Sequence, residues 1–189
     1  MGARATKDRA SYRNRGGIIQ KLVTAYKRAR YFTRAGRNLV VKRRAEFLIV
    51  EHAVLEVGDN VTIQDYSFFQ LTMPEPKVFI GDNTVIGRRN IVTAKNLIRI
   101  GSDVLIGSDV QITDHSHGTK RDTLMRLQRA DIGFVEIGDD VWIGVGAKIL
   151  MNVTIGKGAV IGANSVVISD IPEYAIAVGS PAKVVKYRT

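Results

Sequence analysis

The chain has 189 residues and no cysteine, with 28 Lys and Arg against 18 Asp and Glu for a formal charge of +10. That length and a 45% hydrophobic content suit one well-buried core, while no apolar run approaches the roughly 18–20 residues that cross a bilayer. The missing cysteine excludes disulfides, thiolate zinc sites and cysteine nucleophiles together, and a soluble, cytoplasmic protein is expected.

The charge is uneven. Residues 1–44 hold fourteen basic side chains against one acid, Asp8, a net +13; residues 45–189 hold fourteen against seventeen, a net −3. The folded body is therefore mildly acidic, and no nucleic-acid partner is expected of it. Residues 1–17, with Gly2, Gly16, Gly17 and many charges, predict a disordered basic arm that lacks the apolar stretch of a secretory signal.

From Ile18 the residues Ile19, Leu22, Val23, Tyr26 and Ala29 recur at helical spacing, so residues 18–46 predict a helical, basic segment. Such a helix can cap an open sheet edge. It can also lie on anionic lipid, which would give peripheral membrane contact through residues 1–44 at the inner face of the membrane.

The next region is a repeat. Nine glycines directly follow an Ile or Val of one regular series, from Val57-Gly58 to Ile161-Gly162, in which the aliphatic positions step by six. The series run Val57, Ile63, Phe69; Ile80, Ile86, Val92; Ile100, Ile106, Ile112; Ile137, Ile143, Ile149; and Ile155, Ile161, Val167. A hexapeptide period means a parallel β-helix, with one inward aliphatic per unit and Gly, Asn or Asp at the corners. Three units close one coil, so residues 47–169 predict about five coils of 18 residues.

The period breaks three times. Five residues are extra between Phe69 and Ile80, two between Val92 and Ile100, and nineteen between Ile112 and Ile137. The last break defines an insertion loop over 113–136, and solenoid insertions tend to carry function. It holds Asp114, His115, Ser116, His117 and a basic stretch of Lys120, Arg121, Arg126 and Arg129. Imidazole suits proton transfer near neutral pH, although a loop histidine can equally serve only a backbone hydrogen bond. A three-histidine zinc site would have to recruit His52 from about sixty residues away, so no metal is assigned. After the loop, Trp142 precedes the inward Ile143 and so points outward, as a subunit contact or the wall of a ligand site. Residues 170–189 form a closing tail.

The repeat over 57–168, with the tail Asp170-Ile171-Pro172 and Val178 to Lys186, resembles the hexapeptide-repeat acyltransferases, in particular those that O-acetylate sugars and polysaccharides. The resemblance implies an all-β, left-handed parallel β-helix, although general rules favour right-handed crossovers. It implies a homotrimer with clefts between subunits, acetyl-CoA as co-substrate and a sugar hydroxyl as acceptor. His115 falls where the family carries its general base. By the same likeness the CoA arm runs past Trp142, Gly144, Val145, Ala163, Ile168 and Ser169 to Lys183 and Lys186 near the phosphates. Ile168 and Ser169 depart from the hydroxyl-then-lysine pair that relatives often carry. Asn90, Asp114 and His117 are candidates for acceptor contact, and Asp114 or another acid could hold the imidazole tautomer. A backbone N–H of the Ile143–Val145 stretch would meet the oxyanion. The alternatives are an acetyltransferase of an amino acid, galactoside or antibiotic, an N-acyltransferase of a nucleotide sugar, and a non-catalytic scaffold with a basic arm.

Overall fold

A computed structural model describes residues 17–189. The disordered arm expected over 1–17 therefore lies, but for Gly17, outside the described residues. One helix, α1 (Ile18–Tyr31), precedes a solenoid of short strands.

The strands stack into three parallel sheets that form the faces of a triangular prism. Sheet A holds Arg34–Ala35, Val54–Val57, Lys77–Ile80, Leu97–Ile100, Phe134–Ile137 and Val153–Ile155. Sheet B starts at Val40–Val41 and runs through Thr62–Ile63, Val85–Ile86, Leu105–Ile106, Trp142–Ile143 and Val160–Ile161 to Ala175–Val178. Sheet C holds Glu46–Ile49, Phe68–Leu71, Ile91–Ala94, Gln111–Thr113, Lys148–Ile149 and Val166–Val167. The chain visits A, B and C in turn, so each circuit is one coil, and the coil is left-handed.

All fifteen residues of the six-step series are buried, the most exposed at 4%. The coils number six rather than the expected five. The additional one, Arg34–Ile49, lies mostly within the segment expected to be helical and basic. Its inward residues Ala35, Val41 and Phe47 also step by six. Ala35 is too small to signal the period, and Phe47 replaces an aliphatic. The rings of Tyr31, Phe47 and Phe69 stack at 5.1 and 5.2 Å and carry the core out to α1.

The corners follow a finer rule than the expected one. The left-handed backbone falls on Asn38, Asn60, Asn83, Asp103, Asp140 and Gly158 between A and B, and on Tyr66, Arg89, Asp109, Gly146 and Asn164 between B and C. The glycines after Ile serve coil stacking instead. A Cβ on Gly81 would lie 2.5 Å from the Ser102 nitrogen of the next coil.

The ends differ. The C-terminal end adds a partial coil, Ile171 bridging to Ile155, and then Lys183–Tyr187 turns back antiparallel to Ala175–Val178. Helix α1 covers the other end with its polar side. Gln20 and Thr24 donate to the Val41 carbonyl, and the buried Lys27 ammonium donates to the carbonyls of Lys42, Arg43 and Ala45. Burial holds Lys27 below the usual lysine value, against the attraction of Asp65 and Glu46.

Candidate active site

Every break in the period falls at the corner where sheet C hands the chain to sheet A: Thr72–Pro76, Lys95–Asn96 and Asp114–Gly133. The long excursion leaves as a two-stranded ribbon, with His115–His117 antiparallel to Ala130–Ile132. Farther out, Gln128 ties the loop together. Its Oε1 accepts from the Lys120 N–H, and its Nε2 donates to the carbonyls of Lys120 and Thr123. A concavity of about 590 Å³ within the loop is lined by Lys120, Thr123, Gln128, Arg129 and Asp131.

Asp114 anchors the root of the ribbon. It is fully buried, and its carboxylate accepts the backbone N–H groups of Lys95 (2.9 and 3.1 Å) and Asn96 (2.8 Å). Its carbonyl accepts the Gly133 N–H, and the Asn96 amide donates to the Gly133 carbonyl. The same carboxylate lies 2.9 Å from His115 Nδ1. A carboxylate accepts there, so the contact favours the tautomer with the proton on Nδ1, which in the neutral imidazole leaves the lone pair on Nε2. The His115 side chain is 21% exposed.

Two expected acceptor contacts are thereby corrected. Asp114 has no exposed surface for an acceptor; it positions His115. Asn90 is 2% exposed and belongs to a second inward series at the corner between B and C, with Ser67, Val110, Ala147 and Ser165. Its Oδ1 accepts the Val110 N–H at 2.7 Å and its Nδ2 donates to the Gly87 carbonyl. His117 is exposed on the ribbon, two residues from His115 and so on the same face. The residues missed by sequence reasoning are Lys95 and Asn96. Their signal was the two-residue excursion at the corner one coil before the loop.

The residues expected along the CoA arm divide. Trp142 is 56% exposed on the outer surface of sheet B, and Val145 and Ala163 lie beside it at the corner between B and C. Gly144 is buried, and the space of its missing Cβ is taken by the Ala163 nitrogen at 2.6 Å. Its glycine serves stacking rather than ligand approach, and its N–H is committed to the Ile161 carbonyl rather than to an oxyanion. Ile168 and Ser169 are exposed two coils beyond His115 at the corner between C and A. Lys183 and Lys186 are exposed on the last strand. Sheet B is the face opposite the corner that carries His115, so one chain does not bring Trp142 to His115. The outward residues of sheet B align as Val40, Thr62, Val85, Leu105, Trp142, Val160 and Ile176, an apolar stripe but for Thr62. Among the described residues no cluster of three His, Cys, Asp or Glu could hold a metal ion. No helix among them is long and apolar enough to cross a membrane.

Comparison with known proteins bears on the class. The bacterial transferase hexapeptide (six repeats) matches residues 134–169. A probable acetyltransferase of Mycobacterium tuberculosis is 41% identical over 139 residues, which is 73% of this chain and 46% of that protein. A putative acetyltransferase of Saccharomyces cerevisiae is 48% identical over 73 residues, 38% of this chain and 37% of that one. The chain thus spans less than half the length of these relatives. Among solved structures, AntD, an N-acyltransferase from Bacillus cereus in complex with dTDP and 3-hydroxybutyryl-CoA, superposes with a TM-score of 0.77 at 23% identity, covering 88% of each chain. A maltose O-acetyltransferase from Clostridium difficile 630 gives 0.61 at 26% identity, covering 97% of this chain and 83% of that one. By its repeat and its fold the chain resembles the hexapeptide-repeat transferases, and residues 134–169 carry the transferase hexapeptide itself.

Proposed function

We propose that this protein is a CoA-dependent O-acetyltransferase that moves an acetyl group from acetyl-CoA to a hydroxyl of a sugar, polysaccharide-bound or lipid-linked. The observation that carries the reading is the buried Asp114 carboxylate on His115 Nδ1, which leaves a free, oriented Nε2 at the mouth of the loop. Nε2 takes the proton of the acceptor hydroxyl as its oxygen attacks the thioester carbonyl. The tetrahedral oxyanion collapses, the carbon–sulfur bond breaks, and the imidazolium returns its proton to the CoA thiolate. The Asp114 carboxylate beside Nδ1 steadies the imidazolium as it forms.

The acyl donor lies against Trp142, Val145 and Ala163 and reaches Lys183 and Lys186 at its phosphates; Ile168 and Ser169 flank its path. His117 and the loop cavity with Lys120 and Arg129 meet the acceptor. Because His115 and Trp142 lie on opposite sides of the prism, the site is completed between subunits of a homotrimer. The apolar stripe on sheet B supports this, since such a surface is normally covered. The names of the relatives support acetyl transfer, and the maltose O-acetyltransferase supports a sugar acceptor.

Thiol release from acetyl-CoA tests the reading. Wild type is expected to release CoA with at least one member of a panel of sugars, and His115→Ala to release almost none. No release with any acceptor, or full activity in His115→Ala, would refute it. The likeness to AntD, also solved with dTDP-4-amino-4,6-dideoxyglucose and coenzyme A, favours a second reading, N-acylation of an amino sugar nucleotide, and such a nucleotide in the panel decides between them.

A further inference from the structure

Helix α1 sits the wrong way round for a helix that closes an apolar core. Gln20, Thr24 and Lys27 turn inward because the end of a β-helix is a polar edge of unpaired carbonyl and N–H groups, and Thr24 Oγ1 also accepts the Val41 N–H. The opposite side is apolar and uncovered. Ile18 is 78% exposed, Ile19 72%, Leu22 64% and Tyr26 64%, with Ala25 and Ala29 exposed among them. At 100° per residue Ile18, Leu22, Ala25 and Ala29 form the centre of this face, with Lys21 and Arg28 along one border and Arg30 along the other.

We propose that the outer face of α1 is a docking surface for an anionic lipid bilayer. Apolar side chains bordered by Lys and Arg are the composition of a helix that lies in the headgroup region. Charge complementarity selects anionic lipid. Arg4, Lys7, Arg9, Arg13 and Arg15, against Asp8 alone, precede the helix in sequence, and the body beyond residue 44 is a net −3. The same charge argues against a second copy of the chain, since end-to-end pairing would bring two +13 segments together. Nucleic acid would use the basic border and leave Ile18 and Leu22 without a role. The helix lies across the first coil and His115 follows the fourth, so the prism stands on the bilayer with the imidazole three coil spacings, roughly 14 Å, beyond the first coil.

Co-sedimentation with vesicles tests this. Wild type is expected to pellet with phosphatidylcholine vesicles containing about one third phosphatidylserine, and not with phosphatidylcholine alone. The double variant Ile18→Glu/Leu22→Glu should bind at least about tenfold more weakly. Its thermal midpoint should not move, because both side chains project from the fold. No pelleting of wild type, equal pelleting with neutral vesicles, or undiminished binding by the double variant would overturn the proposal. So would a self-associating wild type whose oligomers the double variant dissolves, or retention on duplex DNA without vesicle binding.

Discussion

Asp114 and His115 are adjacent in sequence, yet what makes them a unit comes from another coil. The Lys95 and Asn96 N–H groups fix the carboxylate, and the carboxylate fixes Nδ1. His115→Ala removes the proposed base and is expected to lower kcat by about 10²–10⁴-fold with the fold intact, read by thiol release and circular dichroism. Asp114→Asn sets an amide where three N–H donors converge. It should cost roughly 1–3 kcal/mol of stability, lower the thermal midpoint, and reduce kcat far more than KM. His115 was legible as the first histidine after the period breaks. The role of Asp114 was not, because burial and the backbone donors from a sequentially distant corner are invisible to spacing. Asn90 failed for a related reason. Its side chain faces inward at a position where other coils place Ser67 or Val110, and no hexapeptide count distinguishes a polar residue that caps the corner from one that meets a ligand.

The inner columns of the coils were legible because one large aliphatic every six residues has no other use. The first coil was not, since Ala35 is small and its surroundings are basic. Helix α1 was legible as a helix but not in its orientation. Amphipathic spacing normally implies a buried apolar face, whereas a solenoid end needs polar partners. Lys27→Met keeps most of the volume but leaves the carbonyls of Lys42, Arg43 and Ala45 without their ammonium. It should cost roughly 1–3 kcal/mol, read as a lower midpoint in denaturant. The corners also titrate. A side-chain hydrogen bond from Arg37 holds Asp59 below the usual carboxylate range, and one from Arg89 does the same for Asp109. A depressed folded value means stability that is present above the unfolded value, about pH 4, and is lost as pH falls through the folded one. The thermal midpoint should therefore decline in acid, and less steeply in Asp59→Asn/Asp109→Asn. Identical slopes would contradict this.

At the scale of the molecule, the parts assigned to one reaction lie on opposite sides of one prism. The period reveals which residues are inside. It does not reveal that the outward residues of sheet B align into an apolar stripe, because these are scattered in sequence and meet only through register. Leu105→Glu in the middle of that stripe is expected to yield monomers in sedimentation velocity and to abolish activity together with assembly. Complementation is the most direct test. His115→Ala supplies an intact Ala163 corner, and Ala163→Trp, which blocks that corner, supplies an intact His115. Each variant alone should be inactive. Trimers assembled from an equal mixture should recover about a quarter of wild-type thiol release, since one neighbouring pair in four joins an intact histidine to an intact corner. Recovery of nothing from correctly assembled mixed trimers would mean that each chain completes its own site, and would contradict the account.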